Sequence, residues 1–183
     1  HLRNRRQRQM CIRDSHHMTE KKISKKAIEI FEKAVNDYHV YDDITRNPNN
    51  PFENKSFEHL LYKKNWIDTV QWHYEDIIRD PDIDPSEGMK LKRLIDSSNQ
   101  NRTEMVEYID SYFLNLYSSV TTRENAKVNT ESPAWAIDRL SILILKIYHM
   151  EEESNRKDVS EDHRNNCLKT VSYTHLRAHE TLL

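Results

Sequence analysis

Apolar residues recur along this chain at three- and four-residue steps in four long stretches and the start of a fifth, with polar connections between them. Ile23, Ala27, Ile30, Phe31, Ala34, Val35 and Tyr38 share one face and predict a first helix from about Glu20 to Tyr41. Residues 42–54, with Pro48 and Pro51, cannot continue it. A second helix is expected from about Lys55 to Arg79, ending before Asp80-Pro81. Its apolar face is Leu60, Trp66, Ile67, Val70, Tyr74, Ile77 and Ile78, and its other face is Asn65, Asp68, Trp72, His73, Glu75, Asp76 and Arg79. Lys63, Lys64 and Glu75 are expected on a solvated surface. Trp72 is too large an apolar ring to stand among acids in water, so another helix should cover that face.

The third helix is expected from about Ser86 to Leu116, a rod of ~45 Å at ~1.5 Å per residue. Leu91, Leu94, Ile95, Met105, Val106, Ile109, Phe113 and Leu116 form its stripe, interrupted by Ser98, Asn99 and Arg102. An arginine on a buried stripe needs a carboxylate from another helix or a ligand anion. The most apolar stretch follows, Asn129 to Glu153. Ser132-Pro133 supplies an N-cap and a first-turn proline, and Leu140 to Ile147 is apolar almost all round, so this helix should be central. It still carries Asp138, Arg139, Lys146 and His149 in an arc of roughly 100°. Trp135, near its start, is expected in the core. A last helix begins near His163 as a stub.

A single glycine (Gly88) and five prolines in 183 residues exclude the turn chemistry of a sheet-rich fold. The fold class is all-α, an antiparallel helical bundle of four long helices plus a truncated fifth. No run approaches the ~20 apolar residues of a membrane span, and a cytoplasmic location is expected. Two cysteines, Cys11 and Cys167, make no disulfide framework.

The two ends carry no periodicity. Thr170 to Leu176 can be encoded ACT GTC TCT TAT ACA CAT CTC, whose reverse complement translates to Glu followed by MCIRDS, the sequence of Met10 to Ser15. The ends therefore read as opposite strands of one inserted element, the adapter of a transposon-based sequencing library. On this reading 1–17 is scar without structure of its own, 18–169 is one helical domain cut short at its carboxyl end, and 170–183 is an adapter-derived tail. Without residues 1–15 and 170–183 the chain keeps 22 Lys+Arg against 28 Asp+Glu, a net of −6 where the full sequence has −2. The basic amino-terminal arm then carries no weight, and no nucleic-acid partner is expected.

The preferred site is a buried polar pocket for a small anionic ligand, phosphorylated or carboxylated. Asn99, Arg102, Asn129, Glu131, Asp138, Arg139 and Lys146 are its expected binding residues, the start of the central helix adding free N–H groups. His73, Asp76 and His149 are its expected catalytic groups, the histidines moving protons and the aspartates orienting arginines. A second class is a magnesium-dependent helical hydrolase using Glu75, Asp76, Glu104 and Glu107. A third is a non-catalytic helical partner protein, with a homo-oligomer as the simplest form. No Gly-rich phosphate loop, HExxH, paired-cysteine site or nucleophile elbow occurs, and no motif names a cofactor or a metal. His39, His59 and His163 are expected on the surface.

Three strings, Asn65 to Arg79 (NWIDTVQWHYEDIIR), Ser98 to Arg102 (SNQNR) and Asn129 to Met150 (NTESPAWAIDRLSILILKIYHM), together resemble an uncharacterised bacterial family known as domain of unknown function 4254. The resemblance covers most of residues 20–169. It implies an all-helical intracellular domain and no assigned activity. The family's pattern continues with further helix where this chain departs from it, at the carboxyl end.

Overall fold

The computed structural model describes residues 20–122, 124–126 and 128–180, and every regular element among them is a helix. Helix α1 spans Glu20–His39, α2 Phe57–Ile77, α3 Pro85–Leu116, α4 Pro133–Asn155 and α5 Glu161–Glu180. The segment 1–17 set aside on sequence grounds lies outside the described residues.

Oxygen caps fix where three helices begin. Ser56 Oγ accepts the His59 N–H at 3.1 Å ahead of α2, and Asp84 Oδ1 accepts those of Ser86 and Glu87 at 2.9 and 3.1 Å ahead of α3. Ser132 Oγ accepts the Trp135 N–H at 3.4 Å ahead of α4, with Pro133 in the first turn. Helix α1 stops at His39, two residues short of the expected Tyr41. There the N–H groups of Tyr41 and Asp42 both bond the Tyr38 carbonyl, and Asp42 turns into the left-handed region at φ 51°.

Helix α4 packs against each of the other four, as its apolar circumference requires. Its Ala134, Ile137, Leu140, Ile144 and Ile147 meet Phe31 of α1, Leu61 of α2 and Ile109 of α3 in one buried cluster. Helix α2 packs in turn between α1 and α3. The 32-residue α3 is ~48 Å long. Trp135 is an exception to the expected core, at 52% exposed on the outer side of the first turn of α4.

The last helix is longer than the expected stub and runs on through Thr170 to Glu180. No glycine or proline interrupts it, and Cys167, Val171, Thr174 and Ala178 fall at four-, three- and four-residue steps on one face. Cys167, Thr174 and Ala178 are buried, and Ala178 joins the main cluster. No helix among the described residues is long and apolar enough to cross a membrane.

Candidate functional site

Helix α2 buries polar residues of its middle turns, while Asp76 and Arg79 near its end stay exposed. Lys64, Asn65, Asp68, Thr69 and Gln71 are all buried, whereas Ile77, assigned to the apolar face, is 43% exposed. Lys64, expected in solvent, has no accessible surface at all. That burial is stable because α3 and α4 bring partners that periodicity within one helix cannot show. The Lys64 ammonium pairs with Asp68 one turn along its own helix and with Asp138 Oδ1 of α4 at 2.7 Å. Asp68 also accepts from Arg102 Nε of α3 at 2.7 Å and from Ser141 Oγ of α4 at 2.6 Å. Asn65 donates to the same Ser141 Oγ at 3.0 Å. Two cations and two carboxylates from three helices thus neutralise one another, the condition under which buried charge is tolerated. The carboxylate that Arg102 requires is Asp68.

Beside this network α2, α3 and α4 enclose a groove of about 330 Å³. Arg102 fronts it with one quarter of its side chain exposed, held by Nε on Asp68, and its Nη1 reaches Asn99 Oδ1 at 3.4 Å. Nη2 has no hydrogen bond among the described residues. Trp72, Gln71, Glu75, Asp76 and Arg79 complete the polar lining, with Ile142 and Leu145 as apolar wall. Gln71 donates to Glu75 at 3.3 Å, while its Oε1 is buried without a partner. Asp76 does not join the histidines; it sits on the groove's rim and pairs with Arg79 at 3.4 Å.

On the other side of Trp72 three imidazoles meet. His149 of α4 stacks on Trp72, ring centroids 4.8 Å apart and planes within 9°. His73 of α2 lies edge-on to His149, and its Nε2 is 3.2 Å from Nε2 of His39, at the end of α1. His39 is thus part-buried in a cluster, where the sequence placed it on the surface. His39 Nδ1 lies 2.7 Å from the Val35 carbonyl, which can only accept, so that nitrogen carries a proton and the neutral ring has its lone pair on Nε2. His149 Nδ1 faces Glu152 at 3.1 Å, and its Nε2 is buried without a partner. Burial, then the neighbouring His39 and His73, pushes the His149 pKa down to about 4. Burial also lowers His73, against the pull of Asp42, whose Oδ1 lies 3.6 Å from Nε2. Both rings are neutral at pH 7.

The expected convergence on one pocket does not occur. Asp138 and His149 are 11 residues apart on α4, so a shared arc separates them by ~16 Å along the axis. Arg102, Asn99 and Asp138 belong to the network and groove; His73 and His149 belong to the imidazole cluster. Asn129, Glu131 and Arg139 form a third group at the start of α4. There Glu131 pairs with Arg139 and its N–H donates to Asn129 Oδ1 at 3.3 Å, so the protein's own carboxylate takes the place offered to an anion. Lys146 is half-buried and has no hydrogen bond or ion pair among the described residues. The four magnesium candidates are also divided. Glu75 and Asp76 front the groove, Glu104 lines a separate groove of about 670 Å³ between α2, α3 and the 44–48 connection, and Glu107 is exposed. The only group of three metal-ligating side chains within reach of one ion among the described residues is His39, His73 and His149.

Two signals of the network stood in the sequence: Arg102 on an apolar stripe, and Lys64 and Asp68 at the i, i+4 spacing of an ion pair. For Ser141, His39 and Gln71 there was none. The family model described as Protein of unknown function (DUF4254) matches residues 58–182. That span holds α2 from its second residue and all of α3, α4 and α5, and therefore the network and the groove. No curated protein and no solved structure matches the chain.

Proposed function

We propose that this chain, which belongs to the DUF4254 family, is a helical binding protein for a small carboxylated or phosphorylated molecule, seated in the groove between α2, α3 and α4. One observation carries this. Arg102 is tethered through Nε to the buried Asp68, so its guanidinium is held in place while its outer edge faces the groove. A guanidinium oriented in advance loses little freedom when it grips a planar anion, and a fork of two N–H donors suits a carboxylate. Arg79 supplies a second cation on the rim, and a volume of about 330 Å³ is of small-metabolite size. The rim also carries Glu75 and Asp76, which repel a dianion. A monocarboxylate group is therefore preferred over a phosphate.

Calorimetric titration with propionate and with inorganic phosphate tests the reading. Propionate is expected to saturate one site and phosphate to bind more weakly. Arg79→Gln should weaken propionate about tenfold, the loss of one partly exposed charged contact. Arg102→Lys keeps a cation for Asp68 but removes the fork, and should abolish the response. A propionate isotherm unchanged in both variants, or no isotherm for either anion, overturns the proposal.

A further inference from the structure

We propose that His39, His73 and His149 hold a divalent first-row transition-metal ion, zinc by geometry, with Asp42 at the fourth position. The site does not rest on the groove reading, and the metal alone reads it out. One potential ligand atom from each of the three histidines falls within 4.8 Å of the other two. Zn–N bonds of ~2.0–2.1 Å in a tetrahedron set neighbouring nitrogens about 3.3 Å apart. His39 Nε2 and His73 Nε2 are 3.2 Å apart, and Asp42 Oδ1 is 3.6 Å from the latter.

The outer contacts are those of metal-bound imidazoles. His39 gives its Nδ1 proton to a backbone carbonyl and His149 turns Nδ1 to a carboxylate, so each presents Nε2 as a lone pair in a fixed ring orientation. A hydrogen bond between His73 and His39 accounts for two of the rings. It leaves the buried, partnerless Nε2 of His149 unexplained. An ion shared by all three rings explains it. Packing fixes the rings from behind, with Tyr148 stacked on His39 at 4.2 Å, Tyr38 on His73 at 5.0 Å and Trp72 on His149. Asp42 lies outside the three-histidine group, near His73 alone, and is 63% exposed at the end of α1, so its side chain would turn in from solvent to take the fourth position. Neutral imidazoles favour zinc, copper or nickel over magnesium or calcium. Three protein nitrogens with an exposed fourth ligand leave one position open to exchange.

The experiment loads the metal-stripped full chain with Zn²⁺ or Co²⁺ alone. One equivalent of each is expected. Cobalt should give the visible bands of a tetrahedral site, and X-ray absorption of the zinc form should show three imidazole nitrogens at ~2.0–2.1 Å and one oxygen without sulfur. His39→Gln and His149→Gln should each weaken zinc at least 100-fold, and Asp42→Asn about tenfold. A paired His163→Gln, Cys167→Ser change, at the separate contact of 3.6 Å between those side chains, should leave affinity unaltered. A sulfur neighbour, loss of binding in that paired variant, or undiminished binding in His39→Gln and His149→Gln overturns the assignment. The absorption measurement uses the unaltered chain, so it decides the matter even if a variant does not fold.

Discussion

Lys64 has four methylenes and an ammonium and no water, and only Asp68 and Asp138 make that arrangement stable. Removing one member of a buried set costs more than removing a matched pair, because the remaining charge has neither solvent nor partner. Lys64→Met takes the cation from Asp138 and leaves Asp68 with Arg102 alone, and we expect a loss of about 3–5 kcal/mol in urea unfolding. Adding Asp138→Leu removes the carboxylate that Lys64 served from α4 and leaves the Asp68–Arg102 pair intact. The double variant should therefore be more stable than the sum of the two single losses by at least 1 kcal/mol, a coupling typical of contacting groups. Additive losses would mean that Lys64 and Asp138 do not depend on each other. The same residues show the limit of sequence reading at this scale. That Arg102 needed a carboxylate followed from its place on an apolar stripe; that the carboxylate was Asp68, and that Lys64 came with it, depended on how three helices pack.

Helices α2, α3 and α4 were legible because their starts have local causes. Ser56, Asp84 and Ser132 cap α2, α3 and α4, and the all-round apolar run from Leu140 to Ile147 marked α4 as central. The facing of α2 was legible in part: Trp72 called for a helix over the polar side, and His149 stacks on it there, but the burial of Lys64 on that side was not foreseen. Packed among α1, α3 and α4, it is buried on its polar side too, and a hydrophobic stripe identifies only the side that needs no partner. His39 escaped notice for the same reason, since a terminal histidine reads as exposed until α2 and α4 close over it. One tie between α1 and α2 gives a pH test. The Tyr62 hydroxyl donates to Asp37 Oδ2 at 2.9 Å, and burial, then that bond, raises its pKa above the ordinary value. A group whose folded pKa is raised contributes stability that is fully present below its unfolded pKa of about 10. That contribution is lost as pH rises through the folded value. In an alkaline titration the phenolate absorbance of Tyr62, taken as the difference from Tyr62→Phe, should appear only as helical circular dichroism falls. Phenolate formation complete near pH 10 with the helices intact would show that Tyr62 is not held by α1.

At the scale of the whole molecule, α4 is the one element in contact with every other, so no helix can leave without opening a side of it. Helix α5 illustrates what this means for the carboxyl end. The origin of the codons after Lys169 and the packing of the residues they encode are separate questions, and the second has a physical answer. Val171, Thr174 and Ala178 lie on the face of α5 that is covered, and Ala178 belongs to the same buried cluster as Leu140 and Ile144. A chain ending at Lys169 loses those three contacts, and the matching surface of the bundle becomes wet. At ~0.8 kcal/mol per buried methylene, three small side chains correspond to a loss of roughly 2–4 kcal/mol. Both chains should unfold in a single transition, with tryptophan fluorescence and circular dichroism coincident, because Trp66 and Trp72 sit on α2 within the same packed unit. The shorter chain should do so at a lower urea concentration with little change in slope. An unmoved midpoint would mean that α5 beyond Lys169 rests on the bundle without stabilising it, and that residues 18–169 already form the complete cooperative unit.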